Sequence, residues 1–237
     1  MFEQLMSKAV LAEEEQGQTI FLYDPETNTD LMGSNSVITL YGTAALSDTI
    51  INGHKSLALP STASGFKAVF PTPIDLQGKN WTLEWSFYNT TAAGAYASET
   101  CLNTGSGTGI LSRWGDSGFG NRLQLGVRFS AVTDCWNPAM TKASSVNTEI
   151  NMALSCKAGL VTVFRNGVKQ GLANGTGGTY GAQTFPVSSV SLASLANLTI
   201  GYAGGGQPSQ LGYHGRVRLS LGGRYTRNYT VVPLEVD

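Results

Sequence analysis

Hydrophobic and polar residues alternate with a period of two along much of the chain. The clearest segment is 81–88 (WTLEWSFY), whose apolar positions are Trp81, Leu83, Trp85 and Phe87. Segments 122–129 (RLQLGVRF) and 216–221 (RVRLSL) alternate in the same way. Because successive side chains of a β-strand point to opposite faces, this pattern predicts antiparallel strands with one face buried and the other in solvent.

Shorter apolar segments predict further strands at 19–23, 37–41, 56–59, 66–70, 160–165 and 198–202. The dipeptide Asn166-Gly167 directly follows one of them and favours a tight hairpin turn. Loops are predicted around Pro138 and where glycines cluster, at 105–109, 174–181 and 204–206. Nine or more strands without helical periodicity between them indicate a two-sheet antiparallel sandwich. The pattern alone leaves jelly-roll and immunoglobulin topologies open.

The first sixteen residues follow a helical period instead. Apolar side chains spaced three and four apart form one stripe: Phe2, Leu5, Met6, Ala9 and Val10. A helix this short is marginal in water and needs a surface to pack on. Two interpretations of the apolar stripe stay open: it packs on the chain's own sandwich, or it docks on a partner. We therefore divide the chain into a helical arm, 1–16, and a β-sandwich domain, 17–237.

Composition supports one β domain and narrows the function classes. The hydrophobic fraction of 41% is enough for a core, while charged residues make up 13% against about 25% in ordinary domains. This balance excludes charge-driven disorder. A net charge of −1 gives no general field for a nucleic acid or a membrane surface. Residues 1–30 hold seven acids and one lysine, which indicates either a solvated face or an arm that docks on a neighbour or on a second copy.

Cysteines and histidines are few. The three cysteines, Cys101, Cys135 and Cys156, are too few for a disulfide framework. A single Cys101–Cys135 bridge stays open, although reduced thiols are favoured in a protein assembled in the cytosol. The two histidines, His54 and His214, have no cysteine or acid cluster around them in the sequence, so we expect no zinc site and interpret them as surface or hydrogen-bonded strand residues.

No apolar run approaches 18 residues, which predicts no membrane span. The N-terminal residues lack the basic start and continuous apolar run of a signal peptide, so we expect a protein made in the cytoplasm.

The C-terminal third carries an ordered set of motifs. LTIG (198–201) precedes an aromatic-x-Gly-x-Val strand at 213–217, and RYTRNYT (224–230) follows, with Arg218 slightly displaced from the expected arginine position. These motifs resemble the closing strands of concanavalin A-like, laminin-G-like jelly-roll domains. Four upstream segments are similar in order to further strands of that family: 54–60, 80–88, 109–115 and 161–168. The resemblance covers about 40–230 and implies a jelly-roll sandwich.

The resemblance also implies a biological setting. Such domains are common in structural proteins of tailed bacteriophages and in bacterial surface proteins. We therefore expect a virion protein, decorating the capsid or belonging to the tail, which is assembled in the host cytoplasm with other virion proteins and forms a trimer by analogy with phage appendages. Its arm would bury Phe2, Leu5, Met6 and Val10 on a neighbour. The alternative is a carbohydrate-binding adhesion module that binds a host receptor glycan.

Catalysis is not expected. Some relatives on this fold cleave polysaccharides, a reaction that needs two carboxylates flanking the scissile bond. The Glu-x-Asp-x-Glu spacing that would place carboxylates on one strand face is absent. Glu84 is the one acid in its strand, and its neighbours two positions away are Thr82 and Ser86. We therefore interpret Glu84 as a solvated or hydrogen-bonded strand residue.

Glycan binding remains the open chemistry, because aromatic rings beside acids or amides on loops stack on sugars and bind their hydroxyls. Three pairs fit this description: Trp114 with Asp116, Trp136 with Asp134, and Tyr202 with Gln207. The alternative is that the tryptophans pack at the rim of the sandwich. Relatives sometimes hold calcium between loop acids and carbonyls, for which Asp116 and Asp134 are suitably placed, and no other cofactor is expected.

Overall fold

The computed structural model describes residues 17–92, 98–103, 109–114, 122–128, 134–141, 143–171, 173–174, 184–187, 192–201 and 210–236. Regular structure within these ranges is almost entirely β. The predicted arm, with Phe2, Leu5, Met6 and Val10, lies outside the described residues, so its helix stays a prediction.

The described part of the chain contains eighteen strands and a single 3-10 turn at Ala143–Ser145. In chain order the strands are β1 (Gln18–Asp24), β2 (Thr29–Asp30), β3 (Val37–Tyr41), β4 (Ala45–Ile51), β5 (His54–Leu59), β6 (Gly65–Ile74), β7 (Trp81–Asn89), β8 (Ser98–Asn103), β9 (Gly109–Trp114), β10 (Arg122–Arg128), β11 (Asp134–Thr141), β12 (Glu149–Lys157), β13 (Leu160–Arg165), β14 (Val168–Lys169), β15 (Ala173–Asn174), β16 (Thr184–Pro186), β17 (Leu195–Gly201) and β18 (Gly212–Leu221).

These strands form two antiparallel sheets packed face to face. Sheet A has the order β14-β13-β12-β7-β18-β1-β2, with β16 beside β13 and the β4–β5 hairpin joined to β18. Sheet B has the order β15-β11-β10-β9-β8-β17-β6-β3. Many neighbours are far apart in sequence, which is characteristic of sandwiches with crossover connections. The predicted two-sheet antiparallel sandwich is confirmed.

The core lies between the two sheets, where the apolar sides of the alternating strands meet. In sheet A, Leu83 pairs with Leu219 and Trp85 with Val217. Sheet B contributes large side chains that include Phe66. Full burial of such side chains contributes roughly 1.5–3 kcal/mol each, so this core is a main source of the stability of the domain.

The segment around Pro138 is a strand, so the predicted loop there is wrong. Strand β11 pairs with β10 up to Asn137, and the register then shifts so that Thr141 lies opposite Arg122. Pro138 falls in this irregularity, where the ladder does not require a backbone N–H from every residue.

The outer face of sheet A also differs from the expectation of a solvent-facing side. Thr82, Glu84 and Ser86 of β7 are at most 4% exposed, and Ser220 of β18 is fully buried. The reason is that residues 223–236 lie over this face of the sheet, as their contacts below show. We call this segment the C-terminal strap.

The Cys101–Cys135 bridge is incompatible with the strand order. Cys101 lies in β8 and Cys135 in β11, and β9 and β10 stand between them. Three strand spacings separate their backbones by about 14 Å, whereas a disulfide joins Cα atoms less than about 7 Å apart. Cys156 is a buried free thiol.

Candidate functional site

The C-terminal strap is fixed to sheet A by hydrogen bonds along its length. The Tyr229 N–H donates to the Gly167 carbonyl at 2.8 Å. The Lys169 N–H donates to Asn228 Oδ1 at 2.8 Å, and Asn52 Nδ2 donates to the Val232 carbonyl at 3.3 Å. The RYTRNYT motif therefore has a structural role in this chain, because its residues close one face of the sandwich.

Glu84 lies beneath the strap. Arg218 Nε donates to Glu84 Oε2 at 2.7 Å, and the Tyr225 hydroxyl donates to Glu84 Oε1 at 2.8 Å. The side chains of Glu84 and Arg218 are each 5% exposed. Burial and the nearby Glu84 charge raise the pKa of the Tyr225 hydroxyl, so it keeps its proton and remains a donor.

The space beside Glu84 is small. The rings of Tyr225 and Tyr229 stack with centroids 3.6 Å apart, and both rings pack on Phe164. The gap that remains has room for about one water molecule. A carboxylate with both oxygens occupied and no room for a sugar cannot serve as a glycosidase acid or base, so this cluster stabilises the fold.

A second ionic cluster fixes the end of the strap to β1. Arg216 Nε donates to Asp24 Oδ1 at 3.0 Å. The Arg216 Nη1 atom donates to the Leu234 carbonyl at 2.8 Å and to Glu235 Oε2 at 2.9 Å. Glu235 also approaches His54, with Oε1 3.0 Å from Nε2. This arrangement joins the first strand, the last strand and the strap.

Trp114, one of the predicted sugar platforms, belongs to the core. Its side chain is 0% exposed, and its ring meets Phe87 edge to face with centroids 6.5 Å apart. An indole without an exposed face cannot stack on a sugar, so the platform role is wrong in this conformation and the packing alternative holds for Trp114. Its predicted partner Asp116 lies outside the described residues, as do Tyr202 and Gln207.

Asp134 and Trp136 lie in β11, on regular strand rather than on a loop. Asp134 pairs with Gly126 and Trp136 with Gln124 in backbone register. On its other side, β11 is covered by β15. The backbone register thus places Trp136 opposite Gln124, and the role of the Asp134–Trp136 pair in glycan binding stays a prediction.

No group of three or more metal-ligating side chains occurs among the described residues, and the calcium prediction, which involves Asp116, is untested. Within the same ranges, no helix is long and apolar enough to cross a membrane.

His214 connects the two sheets inside the sandwich. Its Nδ1 lies 3.1 Å from the Gly215 carbonyl, which can only accept, so Nδ1 carries the proton. Its Nε2 therefore accepts from the Thr100 hydroxyl at 3.1 Å. Burial lowers the pKa of His214 to about 4. His214 is thus a neutral, hydrogen-bonded strand histidine, as the sequence suggested.

An open polar depression lies at the side of the sandwich, where the chain crosses from sheet A to sheet B. Seven residues line it: Asn28, Thr29, Asp30, Gly33, Asn35, Ser36 and Ile38. Its empty space, counted to the open mouth, is about 550 Å³. Sequence reasoning missed this site, because a run of short polar residues after a strand looks like any surface loop.

The depression is built around one carboxylate. Asp30 Oδ1 accepts the N–H groups of Leu22 and Met32, both at 3.0 Å. Its Oδ2 accepts the Ser34 N–H at 3.1 Å. These bonds hold residues 30–34, where the chain leaves sheet A, against β1.

Comparison with known proteins gives a result at the level of the fold. No family model matches the chain, and no curated protein is significantly similar to it in sequence. Among solved structures, domain 4 of AbnA, a GH43 extracellular arabinanase from Geobacillus stearothermophilus in complex with arabinotriose, is 18% identical with a TM-score of 0.60. The alignment covers 88% of this chain and 94% of that one.

Botulinum neurotoxin structures are also similar. The serotype D binding domain is 9% identical with a TM-score of 0.59, and the receptor binding domain of the C/D mosaic serotype is 9% identical with a TM-score of 0.58. Each match covers 90% of this chain but only 49% of the toxin chain, so this chain spans about half of their length. The chain therefore has a β-sandwich fold that also occurs in an arabinanase domain and in toxin binding domains.

Proposed function

We propose that this chain is a non-enzymatic binding module that attaches to a carbohydrate through its sandwich. The observation that carries the proposal is the match to the arabinanase domain, which extends over 94% of that domain and includes a structure with bound arabinotriose. The toxin domains, described as binding or receptor binding domains, support the same general role. A direct binding test distinguishes this function from the others that the same fold hosts.

The state of Glu84 supports the non-enzymatic part of the proposal. Glycosidases place two carboxylates about 5–10 Å apart on either side of the scissile bond. Here the strand carboxylate that the sequence singled out is held by Arg218 and Tyr225 under the strap. We expect no release of reducing ends when the protein is incubated with arabinan or with host polysaccharide.

A glycan array with the labelled full chain tests the proposal. We expect saturable binding to a defined subset of glycans that free glycan of the same structure competes away. An array with no specific binding, or a reducing-end assay that detects turnover, would overturn the proposal. The variant Trp136→Ala, on the same array, tests the sequence-predicted pair on β11 separately from the function itself.

A second proposal concerns the setting, in which the module is a bacteriophage virion protein that decorates the capsid or belongs to the tail. It is supported by the low charge of the chain and by the resemblance of RYTRNYT to the C-terminal motif of domains that are common in such proteins. A mass-spectrometric inventory of purified particles tests it. A high copy number supports capsid decoration, a few copies support a tail position, and absence from the particles overturns the proposal.

A further inference from the structure

The depression at the side of the sandwich offers hydrogen bonds but almost no free charge. Among the described residues, its lining contains no lysine, arginine or histidine. Its one carboxylate, Asp30, already accepts three backbone N–H groups. An anionic ligand would lose its hydration without gaining a counter-ion there, whereas a neutral, hydroxyl-rich ligand would not.

Two amides remain available in this lining. The Asn35 side chain is exposed and makes no hydrogen bond within the described part of the chain. Asn28 accepts a bond from the Tyr23 hydroxyl at 3.3 Å through Oδ1, which leaves its Nδ2 group to donate. An amide both donates and accepts, as a sugar hydroxyl does, so each of these two side chains can bind a hydroxyl group.

The two amides stand on a backbone that is already ordered. Asn28 and Asn35 have positive φ angles of 52° and 56°, a conformation that asparagine tolerates better than most residues. The three bonds to Asp30 hold the segment between them. Binding would therefore cost little ordering of the loop, which favours affinity for a small ligand.

The depression also has a suitable size and an apolar side. Without the open solvent at its mouth, its cavity volume is about 290 Å³, close to the lower end of the range of small-molecule sites. Ile38 packs partly on the core, and the part of it that stays exposed in the lining gives an aliphatic surface against which the C–H face of a sugar ring can pack. We infer that this depression binds a neutral saccharide through the amides of Asn28 and Asn35, which deepens the proposed carbohydrate-binding function and rests on it.

Substitution of the two amides tests the inference. Asn28→Asp and Asn35→Asp preserve the side-chain size and tolerate the positive φ angle, but remove the N–H donors and add charge. Asn147→Asp is the matched control, because Asn147 is also exposed with a positive φ of 54° and lies outside the lining. Titration calorimetry of the full chain with arabinotriose, maltotriose, chitotriose and the anionic sialyllactose measures the affinity, and thermal melting confirms that each variant folds.

The expected result is binding of at least one neutral trisaccharide, weakened at least tenfold by each depression variant and unchanged by Asn147→Asp. If the depression variants bind as the wild type does while Trp136→Ala loses affinity, the inference is overturned and the proposed function stands. If binding occurs only with an anionic trisaccharide such as sialyllactose, the neutral ligand class is wrong. If the wild type binds none of these probes and no glycan on the array, the proposed function and the inference both fail.

Discussion

Acidification from pH 7 to pH 4 is expected to destabilise the sandwich through one buried side chain, His214. Its ring is 1% exposed and lies between the two sheets, where Nδ1 donates to the Gly215 carbonyl and Nε2 accepts from Thr100. A proton on Nε2 would place a positive charge in the core, away from water. The folded state therefore resists protonation, and burial lowers the pKa of His214 to about 4.

The size and sign of this pH effect follow from the difference between the pKa of His214 in the folded state and its pKa in the unfolded state. In the unfolded chain the imidazole has its ordinary pKa of about 6.5. Because the folded pKa is the lower one, the unfolded state takes up the proton first as the pH falls. The contribution of neutral His214 to the free energy of unfolding is fully present above pH 6.5 and is lost as the pH falls to about 4. At about 1.4 kcal/mol for each pKa unit, the loss amounts to about 3 kcal/mol.

Urea unfolding followed by tryptophan fluorescence measures this loss at a series of pH values, since Trp81, Trp85 and Trp114 are almost completely buried. The variant His214→Gln removes the titrating group and keeps an acceptor for Thr100. We expect it to be less stable at pH 7 but to lose about 3 kcal/mol less than the wild type on acidification. Carboxylate titration is common to both proteins and cancels in this comparison.

The variant Thr100→Val is the control for packing. It removes the hydroxyl donor and leaves the histidine buried, so it should cost about 1–3 kcal/mol at every pH and keep the wild-type pH slope. If the free energy of unfolding fell equally with pH in the wild type and in His214→Gln, the reasoning would be refuted. A direct measurement of the imidazole by NMR that gives a midpoint near 6.5 would refute it as well.

Three further predictions concern the strap and the arm. Glu84→Gln should lower the free energy of unfolding by about 3–5 kcal/mol because it leaves a buried arginine without its counter-ion. Glu235→Gln, at a carboxylate whose side chain is 62% exposed, should cost less than about 1 kcal/mol, and similar costs in urea unfolding would contradict the assignment of a buried pair. Gly167→Ala should lower the melting temperature more than Gly159→Ala, because both residues have a φ of 75° but a Cβ at 167 overlaps the Tyr229 carbonyl whereas a Cβ at 159 meets open space. Equal shifts would show that the strap does not pack on that turn. Deletion of residues 1–16 should leave a folded monomer that no longer joins its assembly, and normal assembly of the truncated protein in a particle-binding assay would exclude the docking role.

Alternation was a good guide to strands whose two sides face different environments. The predicted segments 37–41 and 160–165 coincide with β3 and β13. Alternation could not show which strands become neighbours or what covers them. Glu84 has the position of a solvent-facing residue in its strand, yet its partner Arg218 comes 134 residues later and the strap comes later still.

Among the strands that the sequence did not predict, β12 and β11 were missed for local reasons. Strand β12, Glu149–Lys157, alternates as β7 does, but methionine, cysteine and alanine replace the branched and aromatic residues that make the signal strong. Strand β11 contains Pro138, which normally argues against a central strand.

The depression could not be predicted because it depends on an arrangement in space. Asn28 and Asn35 each look like an ordinary turn residue in the sequence. They line one site because the chain passes from the edge of one sheet to the edge of the other between them.

The position of β18 between β1 and β7 has a consequence for synthesis. Arg224 lies just after β18 and donates a hydrogen bond to the carbonyl of Gly17, which is 207 residues earlier in the chain. Strand β18 pairs with β1 on one side and with β7 on the other, so it joins the first strand to the centre of sheet A. While the chain is still on the ribosome, β1 has only the two-residue β2 beside it. Pairing over such separations is slow, so we expect the domain to fold only after the last strand has emerged. A nascent chain stalled before β18 would keep the apolar side of β1 exposed and would be a substrate for chaperones.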